Sequence, residues 1–319
     1  MDSVYVWLLD GDPSIRWQVM RDLLRRPESE WAAERSKVES VGWGANLLSH
    51  QDKDGQWAGG AYNPTDRDPE EAGQPWTGTT HSLSQLRAFG LDPASLSASR
   101  TVELIGANSH WEDGNQPYWE GEVEPCINGI TVANGTYFGV NTSPIVERLM
   151  SEALPDGGWN CEAVNGSIRT SFDTTINVLE GLLEYEKATG GTPESIVARK
   201  AAEGFFLERE LFKRLSTGEP ADDDYLLLRN PVRWQYDILR GLDYFQNAGN
   251  FERSDPDPRL RAAIEHLEAK RQDDGRWLLD KNPRGRVWFD VDDGPGLPSR
   301  WITLRGLRVL EWAGATSRP

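Results

Sequence analysis

The sequence predicts an all-α fold, an α/α toroid of about six inner and five to six outer helices, and three observations carry that expectation. An Asp-Gly-x-Trp turn occurs three times, in QDKDGQW (51–57), ALPDGGW (153–159) and RQDDGRW (271–277). Two kinds of helix alternate along the chain. One kind opens on small hydroxylated residues or on Pro followed by Arg-Trp, and the other is amphipathic with a charged face. No strand-period pattern competes with the helical one.

The elements follow in order. DPSIRWQVMRDLL (12–24) has Pro in its first turn, a pre-organised helix start. The outer-type segment ERSKVESVGWGANLLSHQ (34–51) runs into the first turn. There Gly suits a positive φ after a helix, Asp suits the turn, and Trp can fold back to cap the helix just ended. TGTTHSLSQLRAFG (77–90) is the next inner helix and PASLSASRTVELIGA (93–107) the next outer one. EPCINGITVANGTYFG (124–139) takes the inner position with no turn signature before it. SPIVERLMSEAL (143–154), the second turn and SFDTTINVLEGLLEY (171–185) repeat the order of outer helix, turn and inner helix. PESIVARKAAEGFFLERELFKRL (193–215), NPVRWQYDILRGL (230–242), DPRLRAAIEHLEAKRQ (257–272), the third turn and LPSRWITLRGLRVL (297–310) complete the series. Inner helices are expected to begin near Ser14, Gly78, Cys126, Ser171, Val232 and Ser299. Irregular stretches fall at 58–76, 110–124 and 278–297, and loops that long are usually functional or flexible. Helix pairs spaced by roughly 45 to 60 residues must bury their ends, and six pairs suit closure into one ring, a single domain over 1–319.

Composition bounds the function. With 38% apolar and 10% aromatic residues the 319-residue chain can build a core, and fourteen tryptophans must pack it or line a cavity. A formal charge of −17 disfavours nucleic acid and anionic membrane surfaces as partners. Two cysteines make no disulfide framework, so a reducing compartment is expected. The start MDSVYVWLLDGD lacks a basic leader region and cleavage site, and no apolar run reaches membrane-spanning length. The expectation is a cytoplasmic, soluble monomer or homodimer.

The Q-x-x-x-G-x-W unit at 51–57 resembles the QW repeat of squalene cyclases and prenyltransferase β subunits. The order of turn, loop and inner helix is similar to theirs over nearly the whole chain. The resemblance implies an α/α toroid with inner-helix N-termini at the mouth of a central cavity. It also implies an isoprenoid or similar apolar or amphipathic substrate. Two-toroid cyclases open an inner helix with a protonating D-x-D-D-T-A motif. Here SFDTT keeps Asp173 and Thr174 but has Phe172 where the proton-donating aspartate would stand. A literal D-x-D-D, DVDD (290–293), lies in the loop before the PSRW helix start. Zinc prenyltransferases use Asp, Cys and His, and Cys126, Cys161 and His81 do not fall at that spacing. Neither a metal nor a cofactor is therefore expected.

Several residues are candidates. In RVWFDVDD, a paired carboxylate at Asp290 and Asp292 can split its pKa values to supply an acid, with Trp288 and Phe289 as aromatic walls; the plain alternative is an acidic surface loop. Asp173 is a cavity-mouth acid or simply a helix-start acid favoured by the dipole. Position on a rigid element ranks it above Asp292, and it is expected near Thr174, His81 and an arginine. His81, after Thr80, and Cys126 hold equivalent helix-start positions and serve as base or contact residues, or as ordinary buried side chains. The pairs Arg16–Trp17, Arg233–Trp234 and Arg300–Trp301 supply guanidinium and indole groups to the lumen, or salt bridges to nearby acids. The leading expectation is a terpenoid-cyclase-like enzyme performing acid-initiated cyclisation or isomerisation. Its rivals are a carbohydrate-active toroid with paired carboxylates and a non-catalytic binding protein with a degenerate cyclase fold. An aromatic lining favours the first, a mixed Asp, Arg and Trp lining the second, and a filled lumen the third.

Overall fold

The structure, a computed structural model, describes residues 3–314, so both ends of the expected 1–319 unit lie outside the described residues. The fold is all-α. In chain order the helices are α1 (Ser3–Leu9), α2 (Pro13–Gln18), α3 (Glu28–Arg35), α4 (Gly42–Ser49), α5 (Thr79–Phe89), α6 (Leu96–Asn108) and α7 (Pro125–Tyr137). They continue as α8 (Ser143–Ser151), α9 (Phe172–Thr189), α10 (Pro193–Glu208), α11 (Ile238–Glu252), α12 (Arg261–Ala269) and α13 (Arg300–Trp312). Among the described residues only isolated β-bridges occur, and no helix is long and apolar enough to cross a membrane.

Burial separates the two helix types. Nearly all of α7 and most of α5, α9, α11 and α13 are buried, whereas α3 buries no residue and α4 and α12 only two each. The buried helices touch in sequence: α2 packs on α5, α5 on α7, α7 on α9, α9 on α11, α11 on α13, and α13 returns to α2. The tightest seam is α7 on α9. A Cβ on Gly129 would stand 2.5 Å from the Asn177 carbonyl group, and one on Gly181 2.5 Å from the Gly129 carbonyl oxygen, so two glycines permit backbone contact.

Each Asp-Gly-x-Trp turn performs the same two functions. The indole N–H groups of Trp57, Trp159 and Trp277 donate to Leu47, Leu149 and Leu267, carbonyls in the last turns of α4, α8 and α12, at 2.7–2.8 Å. Their backbone N–H groups meet Thr79, Thr175 and Thr303 hydroxyls at 3.0–3.1 Å, in the first turns of α5, α9 and α13. All three indoles are fully buried, and Gly55, Gly157 and Gly275 all have positive φ.

Five inner helices begin within about one residue of expectation. The sixth does not. Val232 is not a helix start; α11 begins at Ile238, six residues later, capped by Asp237 whose Oδ1 accepts from Arg240 N–H at 2.8 Å. Residues 229–237 run as a loop because side chains satisfy their backbone. Asp173 accepts from Tyr236 N–H at 2.7 Å, and Asp237 from Arg229 N–H at 3.2 Å. Asn177 donates to the Trp234 carbonyl at 2.8 Å, and Arg240 donates to the Arg233 and Gln235 carbonyls. Two outer segments also differ. The 193–215 stretch ends its helix at Glu208, and 34–51 splits at Val41, whose extended backbone precedes Gly42.

Candidate functional site: two chambers and a partition

One face of each buried helix lines an inner cavity of about 450 Å3. Its residues recur every three or four positions, as in Glu180, Glu184 and Lys187 on α9, Arg240, Asp243 and Asn247 on α11, and Trp301, Arg305 and Arg308 on α13. At its wide end stand the exposed side chains of Arg21, Lys187 and Asn247, toward the helix C-termini. Its deep end, toward the N-termini, is closed by buried His81, Arg233, Val291 and Trp301.

The lining reverses the sign of the chain. Eight cationic side chains face three carboxylates, in a protein whose formal charge is −17. Most of these cations have partners. Arg240 uses all five donors, on Glu180, Asn177 and the two loop carbonyls. Arg305 meets Asp243 at 3.4 Å, and Arg308 meets Asp22 at 2.7 Å. Cations at the wide end also complement the converging C-terminal dipoles. Arg233 has neither reason. It is 6% exposed, its Nε and Nη2 have no hydrogen-bond partner, and it forms no ion pair among the described residues. It lies over Trp76 at 5.1 Å, at the end where helix dipoles are positive. Burial pulls it down to about 9, which leaves it cationic at neutral pH.

A second cavity, of about 550 Å3, lies at the N-termini of α7 and α9. Glu112, Asp113, Glu122, Glu124, Glu162 and Asp173 line it together with Cys126 and Cys161, and no cation is among its described lining residues. Between the chambers stands a polar and aromatic partition. Trp234 Nε1 donates to Gln74 Oε1 at 3.0 Å, which turns the Gln74 amide nitrogen toward His81 Nε2, 3.3 Å away. His81 Nε2 therefore accepts, and the ring carries its proton on Nδ1. Tyr62 and Trp76 enclose that ring at centroid distances of 4.6 and 4.9 Å. Burial, then Arg233, hold His81 well below the usual histidine range, so it is neutral.

The sequence candidates divide between these places. Trp17 and Trp301 line the inner cavity, but Arg16 and Arg300 do not: Arg16 turns to Glu34 and the Gly11 carbonyl, Arg300 to Trp7. Adjacent helical residues point about 100° apart, and at both of these helix starts the indole turns to the cavity while the guanidinium turns away from it. Only Arg233, which is in the loop, shares that lumen with Trp17 and Trp301, while Trp234 faces the second chamber. Thr80 lines neither chamber; it is fully buried against the Ala61 carbonyl and the Tyr118 hydroxyl. Asp173, Thr174 and Cys126 line the acidic chamber, while His81 belongs to the other one, so the expected meeting of Asp173 with His81 does not occur. Asp173 is committed to Tyr236 N–H and, at 3.4 Å, to the Tyr225 hydroxyl; burial raises its pKa.

The DVDD loop also differs from expectation. Asp292 is not a wet surface acid. Burial pushes it up to about 6, against hydrogen bonds from Ser299 and from Asn230 Nδ2, 2.5 Å away. It shares a cavity of about 240 Å3 with Arg233 and with Asp290, which is itself exposed. Trp288 does not enter a chamber; it stacks on His50 at 4.4 Å and donates to Ser82. The loop is tied to the 58–76 stretch by Trp76, whose N–H groups reach the Arg286 and Arg284 carbonyls, and by Arg286 on Asp66. Sequence reasoning missed Gln74, Asn177, Glu180, Asp237, Arg240 and Arg305. Asn177, Glu180, Arg240 and Arg305 left a signal, as polar residues on helices that are otherwise buried, whereas Gln74 in the 58–76 stretch and Asp237 at the cap of α11 left none. A scan against protein-family models and a search of curated proteins both return no match for the chain.

Proposed function

We propose that the chain is an α/α toroid of the squalene-cyclase-like kind whose lumen takes a small amphipathic anion, with its phosphate or carboxylate head at Arg233. The contact cycle of six buried helices and the thrice-repeated Trp turn support the toroid. The observation that carries the ligand class is Arg233, a buried guanidinium with two unpartnered nitrogens and no carboxylate on it. An unpaired buried charge is too costly to be a packing residue, and an anion entering the lumen would satisfy it. Phe89, Ile130, Leu183 and the indoles of Trp17 and Trp301 supply walls for an apolar body such as an isoprenyl chain. The volume of about 450 Å3 suits one small molecule. Asp292 is the acid of this reading, because it shares a cavity with Arg233 and holds its proton to about pH 6. Asp173 then acts as a positioning residue for the loop that carries Arg233.

The test is calorimetric titration with farnesyl phosphate, decanoate and farnesol. Both anions are expected to bind, farnesol at least about tenfold more weakly, and Arg233→Gln to erase the difference. Farnesol binding as tightly as farnesyl phosphate, or an unaltered Arg233→Gln, would overturn the proposal. A second reading, a carbohydrate-active toroid, is favoured by the mixed lining of Trp, Arg and carboxylates. Glucuronate in the same titration distinguishes it, because that reading requires a sugar acid to bind better than decanoate.

A further inference from the structure

We propose that Glu124, Cys126 and Cys161 form a binding site for a zinc-type divalent ion, open to the acidic chamber at its fourth position. The site is independent of the lumen. Two segments build it. Glu124 holds the N-cap position of α7 and Cys126 lies in that helix's first turn, while Cys161 opens a short 3-10 turn (Cys161–Asn165) after the second Trp turn. Their ligand atoms lie within 4.8 Å of one another. Cys126 Sγ stands 3.4 Å from Glu124 Oε2. A tetrahedral ion with Zn–S near 2.3 Å and Zn–O near 2.0 Å separates such ligands by about 3.5 Å. The pair is thus already spaced as two ligands of one ion. A third group orients Cys161: the Thr174 hydroxyl donates to its Sγ at 3.4 Å and accepts its backbone N–H at 3.3 Å. Metal-ligating side chains are usually held by such outer partners.

Electrostatics and ligand type point the same way. Six carboxylates line this chamber without a cation among its described lining residues, so a divalent ion would relieve like-charge repulsion. Carboxylates alone would favour magnesium or calcium, but two sulfur ligands select zinc-type ions. Three protein ligands leave one coordination position, and here it faces a chamber of about 550 Å3 rather than packed protein. Closed structural sites hold four protein ligands, whereas three with an open position are the arrangement that activates a bound water or ligand. His81, weighed from the sequence alongside the two cysteines, faces the inner cavity, and Glu124 stands in its place.

The full-length chain, reduced and stripped with a chelator, should be titrated with cobalt(II). One equivalent is expected to bind with a thiolate-to-cobalt charge-transfer band and the intense visible bands of tetrahedral coordination, and zinc should displace it. Cys126→Ser and Cys161→Ser should each reduce the charge-transfer intensity. Glu124→Gln, at an exposed position, should keep that band but weaken binding by about tenfold or more. Far-UV circular dichroism of each variant separates misfolding from ligand loss. Arg233→Gln should leave the cobalt spectrum intact, which keeps this site separate from the lumen. An octahedral spectrum without charge transfer, binding indifferent to both serine variants, or a chain whose thiols stay reduced and which takes up no metal would overturn the proposal.

Discussion

Burial at single residues sets the pH response of this protein. The Asp292 carboxyl is raised from 3.8 to about 6 by desolvation, although Ser299 and Asn230 hydrogen bonds pull it down. The folded state therefore binds this proton more tightly than the unfolded chain does. Its contribution to stability is complete below about pH 4 and is lost as pH rises through 6. At neutral pH the difference amounts to about 3 kcal/mol. Asp292→Asn keeps an acceptor for Asn230 and removes the titration. The variant should match the wild type at pH 4 and melt higher at pH 7.5; parallel melting curves at both pH values would refute the raised pKa. Arg233 poses the reverse problem, a permanent charge without a partner. Arg233→Met should stabilise the ligand-free protein by about 1–4 kcal/mol in urea denaturation, while it destroys anion binding. A destabilised Arg233→Met would mean that the guanidinium is paired in solution.

Between neighbouring elements, one tryptophan joins an outer helix to the next inner one. Trp159 caps the Leu149 carbonyl on α8 and presents its own N–H to Thr175 on α9. Trp159→Ala should cost about 3–5 kcal/mol. Thr175→Val, which keeps the volume and removes the acceptor, should cost about 1 kcal/mol. Both are read from urea midpoints at unchanged slope. If Trp159→Ala leaves the midpoint in place, the turn does not join the elements. These joints were legible in the sequence because they are local: Asp, Gly and Trp sit at fixed offsets, and hydroxylated residues follow at the next helix start. The 229–237 loop was not legible. NPVRW reads as a helix start, but Asp173, Asn177 and Arg240, remote in sequence, bind the backbone groups that a helix would have used. The lumen was half legible. Trp17 and Trp301 could be picked out as aromatic, whereas Glu180, Arg240 and Arg305 looked like surface charges until neighbouring helices enclosed them. Glu124 went unremarked beside Cys126 because its metal-site partner Cys161 is 37 residues away.

At the scale of the whole molecule, the first and last buried helices depend on each other. α13 packs on α2, and Arg308 on α13 reaches Gln18 and Asp22. α13 also packs on α11 and α12. Removing residues 299–319 would therefore strip two buried helices at once, and would expose Trp17, Trp43 and Phe89 where Trp301 now stacks or faces them. In an open stack of repeats, stability is nearly a sum of neighbour terms, so a lost end repeat leaves the others folded. The closed ring proposed for this chain has no end repeat to lose. The truncated chain should thus lose its cooperative urea transition and most of its near-UV signal from buried tryptophans. Wild type should unfold in one step with the same midpoint by far-UV circular dichroism and by fluorescence. A truncated chain that keeps a sharp transition and native tryptophan emission would make the array an open stack, and Arg233 would then face a groove instead of an enclosed lumen.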